Sequence, residues 1–249
     1  MSDQINIRFF NELNDFLPVE QRNLNFNVEV KKSRSVKDLI ESIGVPHTEI
    51  DLIIVNAKSV DFSRLIEGGE QIEVYPQSNN VNLTPLKHNQ PKTFPEQGFV
   101  LDVHLGKLAT YLRMLGFDTL YRNDYEDPTL ADISAQQNRI LLSRDRKLLM
   151  RKQVLYGYII RSDKPRQQVV EVLTRFKLFD YKPQFARCMS CNGTIQSIDK
   201  QQVESQLLPL TRKHFDSFYQ CTDCKKIYWE GSHFSNMQAA INHIKAQQP

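Results

Sequence analysis

Two rhythms of apolar residues divide the chain. In the first, the runs IRFF, LNFNVEV, LIIVN and QIEVYPQ are short and rich in β-branched and aromatic residues, which predicts strands. Between the second and third, SVKDLIESIGV sets Val36, Leu39, Ile40 and Ile43 on one helical face. Ser35 is placed to cap its start and Gly44 its end. The order β-β-α-β-β within residues 1–77 predicts a small α+β domain of β-grasp type, in which one helix is buried on one sheet. Residues 78–98 (SNNVNLTPLKHNQPKTFPEQG) lose all apolar period and read as a linker.

The second rhythm is an alternation of strand and helix. QGFVLD is an apolar run; LGKLATYLRMLGF then lines up Leu105, Leu108, Leu112 and Leu115 and closes on Gly116. DTLYRND is a short strand, DPTLADISAQQ a helix opening on Asp-Pro, and RILLSRD a buried strand. RKLLMRKQ, YGYIIRSD and PRQQVVEVLTRFKL continue as helix, strand and helix. Four β-α units over residues 99–186 predict an α/β domain: a parallel sheet with right-handed crossovers and helices on both faces. The remainder, 187–249, carries all four cysteines and a last helix.

Each of the four strands leads into an aspartate: Asp102, Asp124, Asp145 and Asp163. In a parallel sheet the carboxyl ends of the strands share one edge, the edge at which such folds bind ligands. Singly, each aspartate is explained as a helix cap or turn residue, and Asp127 before Pro128 is the best candidate for a pure cap. Together they make a crowd of carboxylates that repel unless a cation joins them. Oxygen ligands suit Mg²⁺ or Mn²⁺, and a pair of such ions stabilises the attacking and leaving oxygens of a phosphodiester displacement. Arg144, Arg146, Lys147, Arg161 and Lys164 stand nearby in sequence and are candidates for flanking RNA phosphates, with solvated helix-start charge as the plainer reading.

Charge sharpens the contrast between the two parts. Residues 1–98 hold 10 Lys+Arg against 14 Asp+Glu, a net of −4, whereas residues 99–249 hold 22 against 15, a net of +7. The basic part is permissive for a polyanion. At 40% hydrophobic and 24% charged residues the composition is that of a globular protein, and no apolar run approaches a membrane span. The opening MSDQINIRFF has neither a basic leader nor an apolar core, so a cytoplasmic location is expected.

Cys188-Met-Ser-Cys191 and Cys221-Thr-Asp-Cys224 are two Cys-x-x-Cys knuckles separated by 29 residues. This spacing lets four sulfurs surround one tetrahedral ion, so Cys188, Cys191, Cys221 and Cys224 are expected to hold a structural zinc. VESQLLPLTRKHFDSF must then form an insertion between the knuckles. The run Tyr228-Trp229-Glu230-Gly231-Ser232-His233 follows. Trp229 is more readily a packing anchor than a stacking platform, and His233 is a candidate RNA contact.

The stretches FVLDVHLGKLATYLRMLGFDTLYRND, RILLSRDRKLL and IIRSD, with the closing YWEGSH, resemble the mut-seven C-terminal ribonuclease domain family, a branch of the PIN-like nucleases, over residues 99 to about 237. The resemblance implies a PIN-like sheet with a zinc ribbon, and a metal-binding catalytic set at Asp102, Asp124 (or Asp127), Asp145 and Asp163. It also implies RNA as partner, with structured RNA such as transfer or ribosomal RNA precursors as open possibilities. Residues 5–77 resemble ubiquitin-like sulfur carriers. Carrier chemistry needs a free terminal Gly-Gly, and here Gly68-Gly69 precede QIEVYP within a turn, so a docking or scaffold role with a protein partner is what remains. The expected function is therefore an Mg/Mn-dependent endoribonuclease. The alternative is an RNA-binding adaptor that does not cleave. Aspartyl phosphotransfer, a third reading, is disfavoured because Val-His rather than a second aspartate follows Asp102.

Overall fold

The computed structural model describes residues 4–76, 89, 98–180 and 185–247, with the side chains of 232, 233 and 237 excepted. The expected linker thus lies outside the described residues, save Asn89 and Gly98. The chain clusters into two compact units: Met1–Pro95 with Ala131–Ile159, and Glu96–Leu130 with Ile160–Pro249. No described helix is long and apolar enough to cross a membrane.

The first unit begins with a five-stranded sheet. Strands β1 (Gln4–Phe9), β2 (Phe26–Glu29), β4 (Ile50–Val55), β5 (Lys58–Val60) and β7 (Gln71–Pro76) stand in the order β2-β1-β7-β4-β5. The central pair β1 and β7 is parallel and the other pairings are antiparallel. A two-stranded ribbon joins β3 (Arg34–Ser35) to β6 (Leu65–Ile66). Helix α1 (Val36–Ile43) starts where the sequence places it: the Ser35 hydroxyl accepts from Asp38 N–H, and Gly44 at φ 108° ends the helix. Its Val36, Leu39 and Ile40 are fully buried, each contributing about 1.5–3 kcal/mol. Gly68 and Gly69 both take positive φ, as the turn reading requires.

The same unit contains β10 (Ile140–Ser143), α4 (Arg146–Leu149) and β11 (Gly157–Ile159), a parallel β-α-β in which Leu141, Leu142 and Ser143 pair with Gly157, Tyr158 and Ile159. β-Grasp residues bind it directly. The buried Glu49 carboxylate accepts from Ile159 N–H at 2.6 Å. His47 faces an acceptor at each ring nitrogen, Glu41 Oε1 at 2.6 Å and the Val154 carbonyl at 2.8 Å. Gly157 leaves no room for a side chain, because a Cβ there would meet Leu149 at 2.7 Å and Thr48 at 3.3 Å.

The second unit contains β8 (Phe99–Leu101), α2 (Gly106–Met114) and β9 (Thr119–Leu120), with β8 and β9 parallel. Strands β8 to β11 form the expected four-stranded parallel sheet, ordered β11-β10-β8-β9, and helix α3 (Asp127–Gln136) follows β9 in the chain. Leu105, Leu108, Leu112 and Leu115 are all buried, as their spacing predicts. Helix α5 (Pro165–Arg175) has its proline in the first turn, where no hydrogen bond is lost. Strands β12 (Ile195–Ile198), β13 (Phe218–Cys221) and β14 (Ile227–Trp229) make an antiparallel ribbon. A short helix, α6 (Lys200–Val203), leads into the expected insertion, α7 (Pro209–His214) lies within it, and α8 (Ser232–Lys245) follows the ribbon.

Candidate functional site

The four cysteines converge. Their sulfurs all lie within 4.8 Å of one another, with Cys188 to Cys224 at 3.6 Å and Cys191 to Cys221 at 3.4 Å. These separations are too long for disulfides. They are close to the edge of about 3.8 Å expected of a tetrahedron with arms of about 2.3 Å, the Zn–S distance. Among the described residues this is the single group of three or more His, Cys, Asp or Glu side chains placed to hold one ion.

The environment separates the thiols. Burial opposes ionisation of Cys188, but the Tyr228 hydroxyl at 3.0 Å and two backbone N–H groups outweigh it and bring that thiol down to about 6. Burial, together with crowding by Cys221, Cys224 and Cys188, pushes Cys191 up to about 12. A divalent ion at the centre would relieve such crowding and would be held by all four as thiolates.

A polar strut holds the first knuckle against helix α2 and strand β9. Arg113, 3% exposed, donates from Nε to the Thr119 carbonyl and from Nη1 to the carbonyls of Met189 and Ser190. Burial draws its guanidinium below the ordinary value. Asn192, in the left-handed region at φ 74°, accepts from Thr119 N–H and donates to Asp118 Oδ1. Arg187 closes the group with an ion pair to Asp118 at 3.2 Å.

The aspartates each follow the carboxyl end of a strand, in differing surroundings. Asp102, buried directly after β8, caps the next turn by accepting from His104 N–H at 2.9 Å. Asp145, exposed two residues past β10, caps α4 by accepting from Lys147 N–H at 2.7 Å. Asp163 is exposed in the turn after β11, and that turn is braced by Glu171, whose carboxylate accepts from the N–H groups of Arg161 and Ser162. Asp124 departs from the expected pattern. Strand β9 ends at Leu120, so Asp124 lies in a turn beyond it, gripped from both oxygens by Arg122 at 2.9 and 2.7 Å. That hydrogen bonding lowers its pKa. Asp127 opens α3. Asp102, Asp124 and Asp163, the three in the second unit, form no group placed to hold an ion.

The candidate RNA cations also divide. Arg144, Lys147 and Lys164 are exposed, and Arg161 is half-buried. Arg146 is committed to the β-grasp fold: it donates to the Phe16 carbonyl at 3.0 Å and lies over the Phe16 ring at 4.9 Å. Its neighbours gave no sign of this, because the partner stands 130 positions away. The side chain of His233 is outside the described residues.

A family model described as the Mut7-C RNAse domain matches residues 97–241, more than half of the chain. The chain belongs to the Mut7-C RNAse family. A second model, Mut7-C ubiquitin, matches residues 2–82, so the two domains stand in the expected order. No curated protein and no solved structure matches the chain. The Mut7-C RNAse match includes every aspartate and cysteine discussed above. It also includes Arg113, Asn192 and Glu171, which the reading of the sequence passed over. A lone arginine within the apolar helix LATYLRMLGF was the available signal for Arg113; Glu171 offered none.

Proposed function

We propose that this Mut7-C protein is a metal-dependent endoribonuclease, with Asp102, Asp124, Asp145 and Asp163 as its acidic set and a structural zinc on the four cysteines. One observation carries the reading: within the RNAse domain, four aspartates each follow the carboxyl end of a parallel strand. Their donor atoms are oxygens alone, which fits Mg²⁺ or Mn²⁺, and Mg²⁺ keeps several waters and needs only one or two carboxylates. When bound, such an ion lowers the pKa of water and offsets charge on the scissile phosphate. Asp102 and Asp145, held by their caps, would orient the water and the phosphate. Exposed Arg144, Lys147 and Lys164 would engage flanking phosphates. Hydrolysis would break the P–O3′ bond, adding water's hydroxyl to phosphorus and leaving a 5′-phosphate and a 3′-hydroxyl.

A second reading, RNA binding without cleavage, is favoured by the commitments of the same carboxylates: Asp124 to Arg122, and Asp102 and Asp145 to backbone N–H groups. The two part on a cleavage assay of a labelled structured RNA and a matched DNA with Mn²⁺, Mg²⁺ or EDTA. Metal-dependent RNA cleavage by wild type, lost in Asp145→Asn, is expected. Retention of RNA without cleavage in any metal, unchanged by Asp145→Asn, would establish the adaptor instead.

A further inference from the structure

A cleft of about 900 Å³ opens in the second unit beside the cysteine knuckles. That volume falls within the range of about 300–1,000 Å³ typical of clefts that enclose small ligands. Its wall combines flat rings with cations: Phe185, Tyr219 and Trp229, and Arg166, Arg187 and Lys226. Glu230 is the one acidic residue among its lining residues. Two of the cations are held in place, Arg187 by Asp118 at 3.2 Å and Lys226 by the Ser190 hydroxyl at 2.9 Å. Arg166 is exposed in the first turn of α5. Tyr219, on strand β13, is 37% exposed. The indole of Trp229 lies close over the backbone of Gly231, where a Cβ would meet Nε1 at 2.7 Å and Cδ1 at 3.0 Å. Glycine at 231 therefore lets the ring lie where it lines the cleft.

We infer that this cleft binds unpaired nucleotides of the RNA, the rings stacking on bases while Arg166, Arg187 and Lys226 take the phosphates. Rings interleaved with cations are the pattern that holds single-stranded nucleic acid without reading its sequence. A base-paired helix cannot offer its base faces to such a cleft. The YWEG segment closing the ribbon thereby gains a role beyond packing, since all four of its residues line the cleft. The site grips substrate apart from the aspartates, so it rests on the ribonuclease reading without sharing its residues.

The chain reports on this site directly, because Trp229 is its single tryptophan. The intact protein, with its cysteine-bound metal retained and no Mg²⁺ or Mn²⁺ added, is titrated with a short unstructured oligoribonucleotide while indole emission is followed. Quenching is expected on binding, with roughly ten-fold weaker affinity in Tyr219→Ala and in Arg166→Gln. Circular dichroism of both variants checks their folding. RNA binding, seen by anisotropy of a labelled oligomer, that leaves Trp229 emission and both variants' affinities unchanged would overturn the cleft and leave the ribonuclease reading standing. Equal quenching by a perfect duplex would overturn the assignment to unpaired nucleotides. Absence of both RNA binding and metal-dependent cleavage would instead remove the ribonuclease reading on which the cleft rests.

Discussion

At the scale of single residues, the cysteine site depends on groups that are not ligands. Gly193 lies two residues past the first knuckle, where a Cβ would meet Asp223 Oδ2 at 2.5 Å and Cys221 Sγ at 2.9 Å. One of the obstacles is a sulfur of the cysteine cluster, on a fully buried residue. Gly193→Ala is therefore expected to weaken zinc binding roughly ten-fold or more, the scale seen when support around a metal site is disturbed. Competition with a chromophoric zinc chelator measures this, and an unchanged affinity would mean that the knuckle yields without cost. The cysteine cluster was legible in the sequence because its spacing carries the geometry, and so was the placing of Asp102, Asp145 and Asp163 just past strand ends. Arg113, Asn192 and Glu171 were not, because each acts on backbone groups supplied by folding. Asn192 binds Thr119 from 73 positions away, and Arg113 reaches carbonyls 76 and 77 positions away.

At the scale of elements, rhythm predicted identity better than extent. Strand β9 covers only Thr119–Leu120, and α4 only Arg146–Leu149, shorter than their apolar patterns suggest. In both cases side chains take over from the regular backbone: Arg122 folds the end of DTLYRND onto Asp124, and Asp145 caps a helix of a single turn. Strand β11 is similarly short, and a β-grasp side chain, Glu49, accepts from its Ile159 N–H. Removing the Glu49 carboxylate would strand the buried Ile159 N–H, at a cost of about 1–3 kcal/mol. Glu49→Ala should accordingly lower Tm, by about 2–4 °C for each kcal/mol in a chain of this size. Glu49→Gln, which keeps an acceptor, should lose less. Equal Tm for all three proteins in a thermal melt would show that water satisfies Ile159 N–H. No local pattern in the sequence marks Glu49 for this role, since its partner is 110 positions away.

At the scale of the whole molecule, the N-terminal module is part of a unit that also contains β10, α4, β11 and therefore Asp145. The sequence read as a β-grasp domain (1–77), a linker (78–98), an α/β domain (99–186) and a cysteine-bearing segment (187–249). The contacts of His47, Glu49 and Arg146 make the module a wall of the segment that carries an acidic residue. A chain beginning at residue 98 is expected to melt well below the full-length protein and to be cut by protease within residues 140–159. Limited proteolysis with mass spectrometry tests this, and equal resistance would show that the segment holds itself. The path of the chain has a consequence for its synthesis. It leaves the first unit at residue 95, returns at 131 and departs finally at 159. On a ribosome, the module would emerge long before the β-α-β that completes its surroundings, and residues 96–130 would wait in turn for everything after 160. Neither unit can finish while the chain is half made. Full assembly, and with it any acidic site, is deferred until the segment after residue 160 has been made.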